Sequence, residues 1–409
     1  MNNGNNTSEK NKISKSVITR TVFLLSLVSL FTDLASELLY PVMPVYLKSI
    51  GFSIIIIGVL EGVAEAIAGL TKGYFGQWSD AIGKRMPFVQ LGYSLSALSK
   101  IMLAFFTSVP VVFSARLLDR IGKGARSAPR DAILAAEAPP EKKATVFGFH
   151  RSFDTVGATL GPLAALLYLY LRPGDYKGVI LLAAIPGLIA VLFTFLTKEK
   201  PIAVPVKKSS GFFSYLNYWK TASASYKKTV GHLLLFAVMN SSDVFLLLLL
   251  KEKNYSDVQM ISFYIFYNLI YAMAAFPVGK LADRIGMKRI LIFGMMLFAF
   301  VYVAINYTAN FYAIGFIFLL YGIYAACFES TSKAIIASQC EKNQTATAIG
   351  FYSGFASIGA LIASLWTGIV WYNFSPATAL ILSGIAVVIV AFSFLILSRK
   401  QPQLLADKF

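Results

Sequence analysis

The chain has 409 residues, 57% hydrophobic and 14% charged, with 37 Lys and Arg against 20 Asp and Glu and a formal net charge of +17. That much apolar side chain exceeds what a soluble domain of this length buries, which excludes a soluble globular protein and reads as an integral membrane protein. Two Cys and two His, none at ligand spacing, imply no metal site and no disulfide framework.

In a soluble protein this charge would point to nucleic acid; here its distribution excludes that. With the amino terminus in the cytoplasm, Lys10, Lys12, Lys15, Lys84, Arg85, Lys142, Lys143, Lys207, Lys208, Lys288 and Arg289 share one side, against little more than Lys48, Arg172, Lys177, Lys251 and Lys253 on the other. This positive-inside bias predicts a multi-pass protein of the cell inner membrane with both termini cytoplasmic.

Roughly twelve apolar runs follow one another, each near the roughly 20 residues that a spanning helix needs. Helices rather than a barrel satisfy the backbone of such runs in lipid. Residues 1–16 are polar and cationic and read as a disordered cytoplasmic tail. A six-helix bundle over 17–197, a cytoplasmic linker with an interfacial helix over 198–229, a second six-helix bundle over 230–398 and a tail over 399–409 complete the division.

The first run carries Asp33 and Glu37 on a narrow polar stripe, and the second places Glu61 and Glu65 one turn apart with Lys72 further along the same face. The third, residues 87–106, is bland and is expected at the periphery. The fourth gathers Arg116, Asp119, Arg120, Lys123, Arg126, Arg130 and Asp131 on one arc, which cannot face lipid and therefore lines a cavity or meets partners. The fifth holds Asp154 between Gly148 and the group Gly157, Gly161 and Pro162, where missing side chains let a neighbouring helix come close. The linker interleaves Phe212, Leu216, Trp219 and Tyr226 with lysines, a pattern of basic interfacial helices. The second half is poorer in charge and offers Asn240, Asp243, Tyr264, Tyr267, Asn268, Tyr324 and Glu329.

Between the second and third runs stands Gly76-Gln77-Trp78-Ser79-Asp80-Ala81-Ile82-Gly83-Lys84-Arg85, and nearly the same string returns as Gly279-Lys280-Leu281-Ala282-Asp283-Arg284-Ile285-Gly286-Met287-Lys288-Arg289. The repeat divides the chain into two related halves. In each copy a small residue permits close helix approach, an acid stands where the first helix ends, a glycine turns the chain, and a cationic pair is expected to face water.

Both copies resemble the loop signature of the major facilitator superfamily, Gly-x-Leu-Ala-Asp-Arg-x-Gly-Arg-Arg, with Trp78 and Ala81 departing from it in the first. Arg116 through Gly124 resembles the fourth-helix motif of the same superfamily, Arg116 falling on the Arg that proton-linked members tie to proton transfer, while Asp119 and Arg120 replace its Gln and Gly. Gly148, Gly157 and Gly161-Pro162 resemble the fifth-helix signature of the exporting, antiporter branches, with Ala165-Leu166 at the closing Gly-Gly.

The resemblance implies an all-α membrane protein of two six-helix bundles related by a pseudo-two-fold axis along the membrane normal. It implies a monomeric secondary transporter, not an enzyme, that uses no cofactor, is surrounded by membrane lipid and moves a small organic molecule across the inner membrane by alternating access. The proton is the expected coupling ion, with sodium as the alternative. Like charges at one-turn spacing cannot all ionise, so Asp33, Glu37, Glu61 or Glu65 is expected to carry the proton, with Arg116 as the approaching cation.

Substrate is expected at Arg120, Lys123 and Asp154 of the first half and at Asn240, Asp243, Tyr264, Tyr267, Asn268, Tyr324 and Glu329 of the second. Gly76, Asp80, Gly83, Lys84, Arg85, Glu137, Asp283 and Arg284 are read as a conformational latch. Proton-coupled export by antiport is the leading function. Proton-coupled uptake of an organic anion or carboxylate siderophore, and a membrane sensor that transports nothing, are the alternatives.

Overall fold

The computed structural model describes residues 17–199 and 211–399, without the side chains of residues 44, 54, 55, 57–59, 61, 62, 257 and 397–399. The expected tails and the Lys207-Lys208 part of the linker lie outside the described residues, as does the side chain of Glu61.

The first half contains α1 (Arg20–Leu39), α2 (Met43–Ser49), α3 (Ile54–Ile82), α4 (Met86–Phe105), α5 (Val109–Glu137), α6 (Lys143–Leu171) and α7 (Tyr176–Leu196). After the short α8 (Tyr218–Thr221), the second half contains α9 (Ala224–Met239), α10 (Val244–Glu252), α11 (Asp257–Ile285), α12 (Met287–Ala304), α13 (Phe311–Ser338), α14 (Thr345–Asn373) and α15 (Pro376–Arg399). Among the described residues ten spans are long and apolar enough to cross a membrane. With α3 and the more polar α5, each 29 residues or about 43 Å at helical rise, the bundle helices number twelve.

The halves are built alike, and the local sequence shows why. Ser53 accepts a hydrogen bond from the Ile56 amide at the start of α3, and Ser256 with Gln259 forms a capping box at the start of α11. Each of these caps satisfies backbone donors that a helix start leaves open. Both helices run 29 residues and stop at a glycine, Gly83 and Gly286, held at φ 71° and 109° where a side chain would be strained. In each half the first span is interrupted, by residues 40–42 between α1 and α2 and by residues 240–243 between α9 and α10.

Within the first bundle α1 packs on α6 and α7, α5 on α3 and α4, and α4 on α7; within the second, α13 packs on α11 and α12, and α15 on α9 and α12. The seam between bundles is made by α3 with α14 and by α6 with α11. Glycines set its closeness: a Cβ on Gly76 would run into the Ala346 carbonyl, and one on Gly279 into the Ala144 carbonyl, the same contact in each half. Gly148 meets the Ala275 backbone across the seam, whereas Gly157 and Gly161 let α1 approach α6 at Leu30 and Glu37. Pro162 lies inside α6, which continues past it to Leu171.

Two expectations are corrected here. The third run, now α4, does sit at the edge of its bundle, packed on α5 and α7 with Leu91, Leu98 and Phe105 exposed, but it is not bland, because it buries Lys100 at 2% exposure against α5. The described part of the linker is not one interfacial helix either. It forms a 3-10 turn over Ser214–Asn217 and the single turn α8, with Tyr215 and Tyr218 buried and Ser214 bonded to Gln77 of α3. Tyr215 and Tyr218 are drawn into the protein at the loop end, while Phe212, Phe213, Leu216 and Trp219 stay exposed.

Candidate functional site

A cavity of about 800 Å³ lies between the halves. Tyr40, 64% exposed, marks its mouth with Pro41 and Met43, at the end away from the two loop repeats. Its wall on α1 carries Asp33 and Glu37, and its wall on α5 carries Arg116, Asp119, Arg120, Lys123, Arg126 and Arg130. Lys72 of α3, Lys100 of α4, Arg151 and Asp154 of α6, and Lys333 of α13 complete its charged lining. The α11 wall is Tyr264, Tyr267, Asn268 and Tyr271. The charged arc read on the fourth run thus faces this space, the first half supplying all of the ions but Lys333 and the second half rings and an amide.

The ions are organised by partners. Lys100 stands 3.6 Å from Asp119 and donates to the Ser96 carbonyl, and Arg120 lies 3.8 Å from Glu65. Arg126 bonds Ser96, with its guanidinium carbon 4.7 Å from the centre of the Tyr93 ring. Deeper, one network joins the two halves. Arg130 donates to Asp131 at 2.9 Å and to Ser29 at 2.8 Å, and Ser29 donates to Asp154 at 2.8 Å. Asp154 in turn accepts from Arg151, whose Nε donates to the Tyr271 hydroxyl of the other bundle. Lys333 reaches Asp131 at 2.8 Å across the same seam. An acid 1% exposed, held by cations from both halves, ties the floor of the cavity together.

Below this floor the loop end is sealed twice, by equivalent acids. Asp80 accepts from Arg85 at 2.8 Å and, across the seam, from the Thr347 amide at 2.7 Å and its hydroxyl at 2.9 Å. Asp283 accepts from the Ala144 amide at 3.1 Å and from the Thr145 amide and hydroxyl at 2.7 and 2.5 Å. In each case a carboxylate satisfies amide donors at the start of a facing helix, α14 or α6. Arg85 also donates to the Lys342 carbonyl, and Lys143 to the Ala337 carbonyl. The arrangement holds one end of the bundle pair shut while the other stays open.

The structure sorts the expected residues. Asp33, Glu37, Arg116, Arg120, Lys123, Asp154, Tyr264, Tyr267 and Asn268 line the cavity, and Asp80, Arg85 and Asp283 lie in the seal. Several placements differ from expectation. Asn240, Asp243, Tyr324 and Glu329 are not in the cavity lining. Asp243 instead accepts from the hydroxyls of Tyr267 at 2.5 Å and Tyr321 at 2.9 Å, next to the break between α9 and α10, and Tyr324 is packed among Phe236, Phe298 and Phe328.

Glu65 faces Arg120 from α3, which packs on α5 and α14, whereas Asp33 and Glu37 stand on α1, which packs on α6 and α7. Arg85 is buried at 1% exposure rather than facing water, whereas Lys84 and Arg284 are exposed. Glu137 ends α5 and is half-buried, and the loop amides of Arg85 and Met86 are held by Glu199. Sequence reasoning missed Lys100 and Glu199; for Lys100 the only signal was a lone cation inside an apolar run.

The family model described as Major Facilitator Superfamily matches residues 25–268 and 229–408. The chain belongs to the major facilitator superfamily. An uncharacterized transporter of this superfamily from Methanocaldococcus jannaschii is 30% identical over 389 residues, 93% of this chain and 96% of that one. The multi-drug resistance efflux pump PmrA of Streptococcus pneumoniae is 20% identical over 353 residues, 82% of this chain and 85% of the pump.

Among solved structures, the human organic anion transporter MFSD10 superposes with a TM-score of 0.78 at 18% identity, covering 92% of this chain and 99% of that one. The E. coli fucose:proton symporter FucP does so at 0.74 and 12%, covering 93% and 98%. At such identities the likeness is one of fold, two six-helix bundles. As a major facilitator superfamily member the chain is a multi-pass membrane transporter of small molecules.

Proposed function

We propose that this chain is a proton-coupled secondary transporter of a small organic molecule, with Asp33 and Glu37 carrying the proton. The observation that supports it is the position of these two carboxylates in the wall of a cavity reached from one end while Asp80 and Asp283 bond the bundles together at the other. Carboxylates inside a membrane are costly unless they titrate or are paired, and here they stand where both substrate and water arrive. The positive-inside bias makes the sealed end cytoplasmic, so the conformation is outward-open.

Two features bear on direction. The fifth-helix signature, and the efflux named for PmrA, support export by antiport. The geometry of this chain supports the other direction more strongly. Protonating Asp33 and Glu37 raises the positive charge of a cavity already rich in Lys and Arg, which favours a proton and an anion travelling together. The name of MFSD10, an organic anion transporter, agrees with that reading. In proteoliposomes holding a pH-sensitive dye, a transported compound is expected to acidify the compartment it enters. Asp33→Asn and Glu37→Gln are expected to abolish that proton movement. A compound whose entry alkalinises the lumen reverses the direction, and full proton movement in both variants overturns the coupling role.

A further inference from the structure

Among the described residues nine Lys and Arg side chains and four Asp and Glu side chains line the cavity. Adding Asp131, which already serves Arg130 and Lys333, Glu65, which faces Arg120, and Glu329, whose charge acts on Arg151, still leaves cations ahead by nine to seven. An excess of positive charge held inside a membrane protein is expensive unless an anion completes it. The cations are also placed for more than one anionic group. Arg116, Arg120 and Lys123 follow at four- and three-residue spacing along one face of α5, a stripe about 10 Å long at helical rise.

Across the cavity the α11 wall offers something different. The hydroxyl of Tyr267 is committed to Asp243, and that of Tyr271 accepts from Arg151. With those hydroxyls engaged, what these tyrosines present to the cavity is ring surface, and Tyr264 stands edge-on to Tyr267 at 5.4 Å. Rings of this kind receive a flat apolar body by stacking or edge contact.

Resting on the transporter reading above, we infer that the substrate is a flat, aromatic or conjugated organic molecule bearing two or more negative charges, its anionic groups on the α5 stripe and its body against the α11 tyrosines. Carboxylate, sulfonate and phosphate share the required chemistry, since each accepts charge-assisted hydrogen bonds from guanidinium and ammonium groups.

The test is equilibrium binding to the purified full-length protein in detergent, which needs no proton gradient and therefore succeeds or fails separately from the coupling proposal. Isophthalate, a flat aromatic dianion, is compared with glutarate, an aliphatic dianion, and with m-xylylenediamine, a dication of similar shape. Isophthalate is expected to bind best, glutarate more weakly, and the diamine not at all. Lys123→Gln and Arg120→Gln are each expected to weaken isophthalate about tenfold or more, while Arg120→Lys retains most of the affinity. Ligand-free melting curves of the variants separate lost binding from lost folding. Binding of the diamine equal to that of isophthalate, no isophthalate binding at millimolar concentration, or unchanged affinity in both neutral variants overturns the anion assignment. Equal affinity for glutarate overturns the aromatic part.

Discussion

Replacing Asp80 with Asn is expected to loosen the loop end by an amount that its hydrogen bonds set. The carboxylate accepts from Arg85 Nε at 3.2 Å and Nη2 at 2.8 Å, both within the first bundle, and from Thr347 N at 2.7 Å and Oγ1 at 2.9 Å across the seam. Asparagine keeps one acceptor oxygen, loses the charge and turns a donor toward groups that themselves donate. With its oxygen kept on Arg85, the bond from the Thr347 amide is lost while the Thr347 hydroxyl can turn to accept, a change of about 1.5–3 kcal/mol, or roughly 10- to 150-fold in the opening equilibrium. The stranded Arg85, 1% exposed between the bundles and also bonded to the Lys342 carbonyl, adds a cost to the closed form that opening relieves, in the same direction.

Cys340 is a native reporter of this opening. Its thiol lies just beyond α13, 3.7 Å from Thr345 Oγ1, half-buried, and burial pushes its pKa up, so it is a poor nucleophile while the seal holds. In a Cys327→Ala background, which leaves one thiol, alkylation of Cys340 is expected to speed up by that factor in Asp80→Asn and by less in Thr347→Val, which removes only the hydroxyl bond. An Asp80→Asn protein that melts at lower temperature yet is alkylated at the parent rate would refute the reasoning, since the acid would then stabilise one bundle without holding two together.

Three further outcomes follow from particular contacts. Gly279→Ala places a methyl group against the Ala144 carbonyl and is expected to raise Cys340 alkylation with all polar seal bonds intact. Lys100→Met leaves the half-buried Asp119 short of its nearest cation and is expected to cost about 1–3 kcal/mol in unfolding measurements, with Asp119→Asn on the same background recovering part of it. Asp243→Asn keeps one acceptor oxygen for two tyrosine hydroxyls and is expected to lower second-bundle stability by about 1.5–3 kcal/mol while changing substrate affinity little; a large affinity change would contradict its placement outside the cavity.

Much of the fold was legible because lipid imposes simple rules. Apolar runs of spanning length, the basic loops and the repeated Gly76-to-Arg85 string each follow from local sequence, and the paired helices α3 and α11 keep matching caps and glycine stops. The arc on α5 was legible for the same reason, since at helical period its charges share one face and a charged face has to avoid lipid.

What the sequence concealed lies between helices. Asp243 reads as a lone intramembrane acid suited to a substrate, and only the approach of α11 and α13 reveals the two hydroxyls that claim it. Asp131 reads as the neighbour of Arg130, while its second cation, Lys333, is 202 positions away in the chain. Arg85 looks like a solvated loop cation until Asp80 and the Lys342 carbonyl enclose it from two bundles. Helical periodicity assigns a face to a residue; the partner on that face depends on tertiary packing.

Alternating exposure of the cavity is the claim on which the rest depends, and one labelling experiment reaches it most directly. Ala158 lines the cavity on α6, and a cysteine there, in protein whose Cys327 and Cys340 are replaced by Ser, can be reacted with a membrane-impermeant thiol reagent in sealed right-side-out and inside-out vesicles. Reaction from both faces is expected, with the loop-end rate raised by Asp80→Asn. Reaction from one face alone, with and without that substitution, would contradict the account.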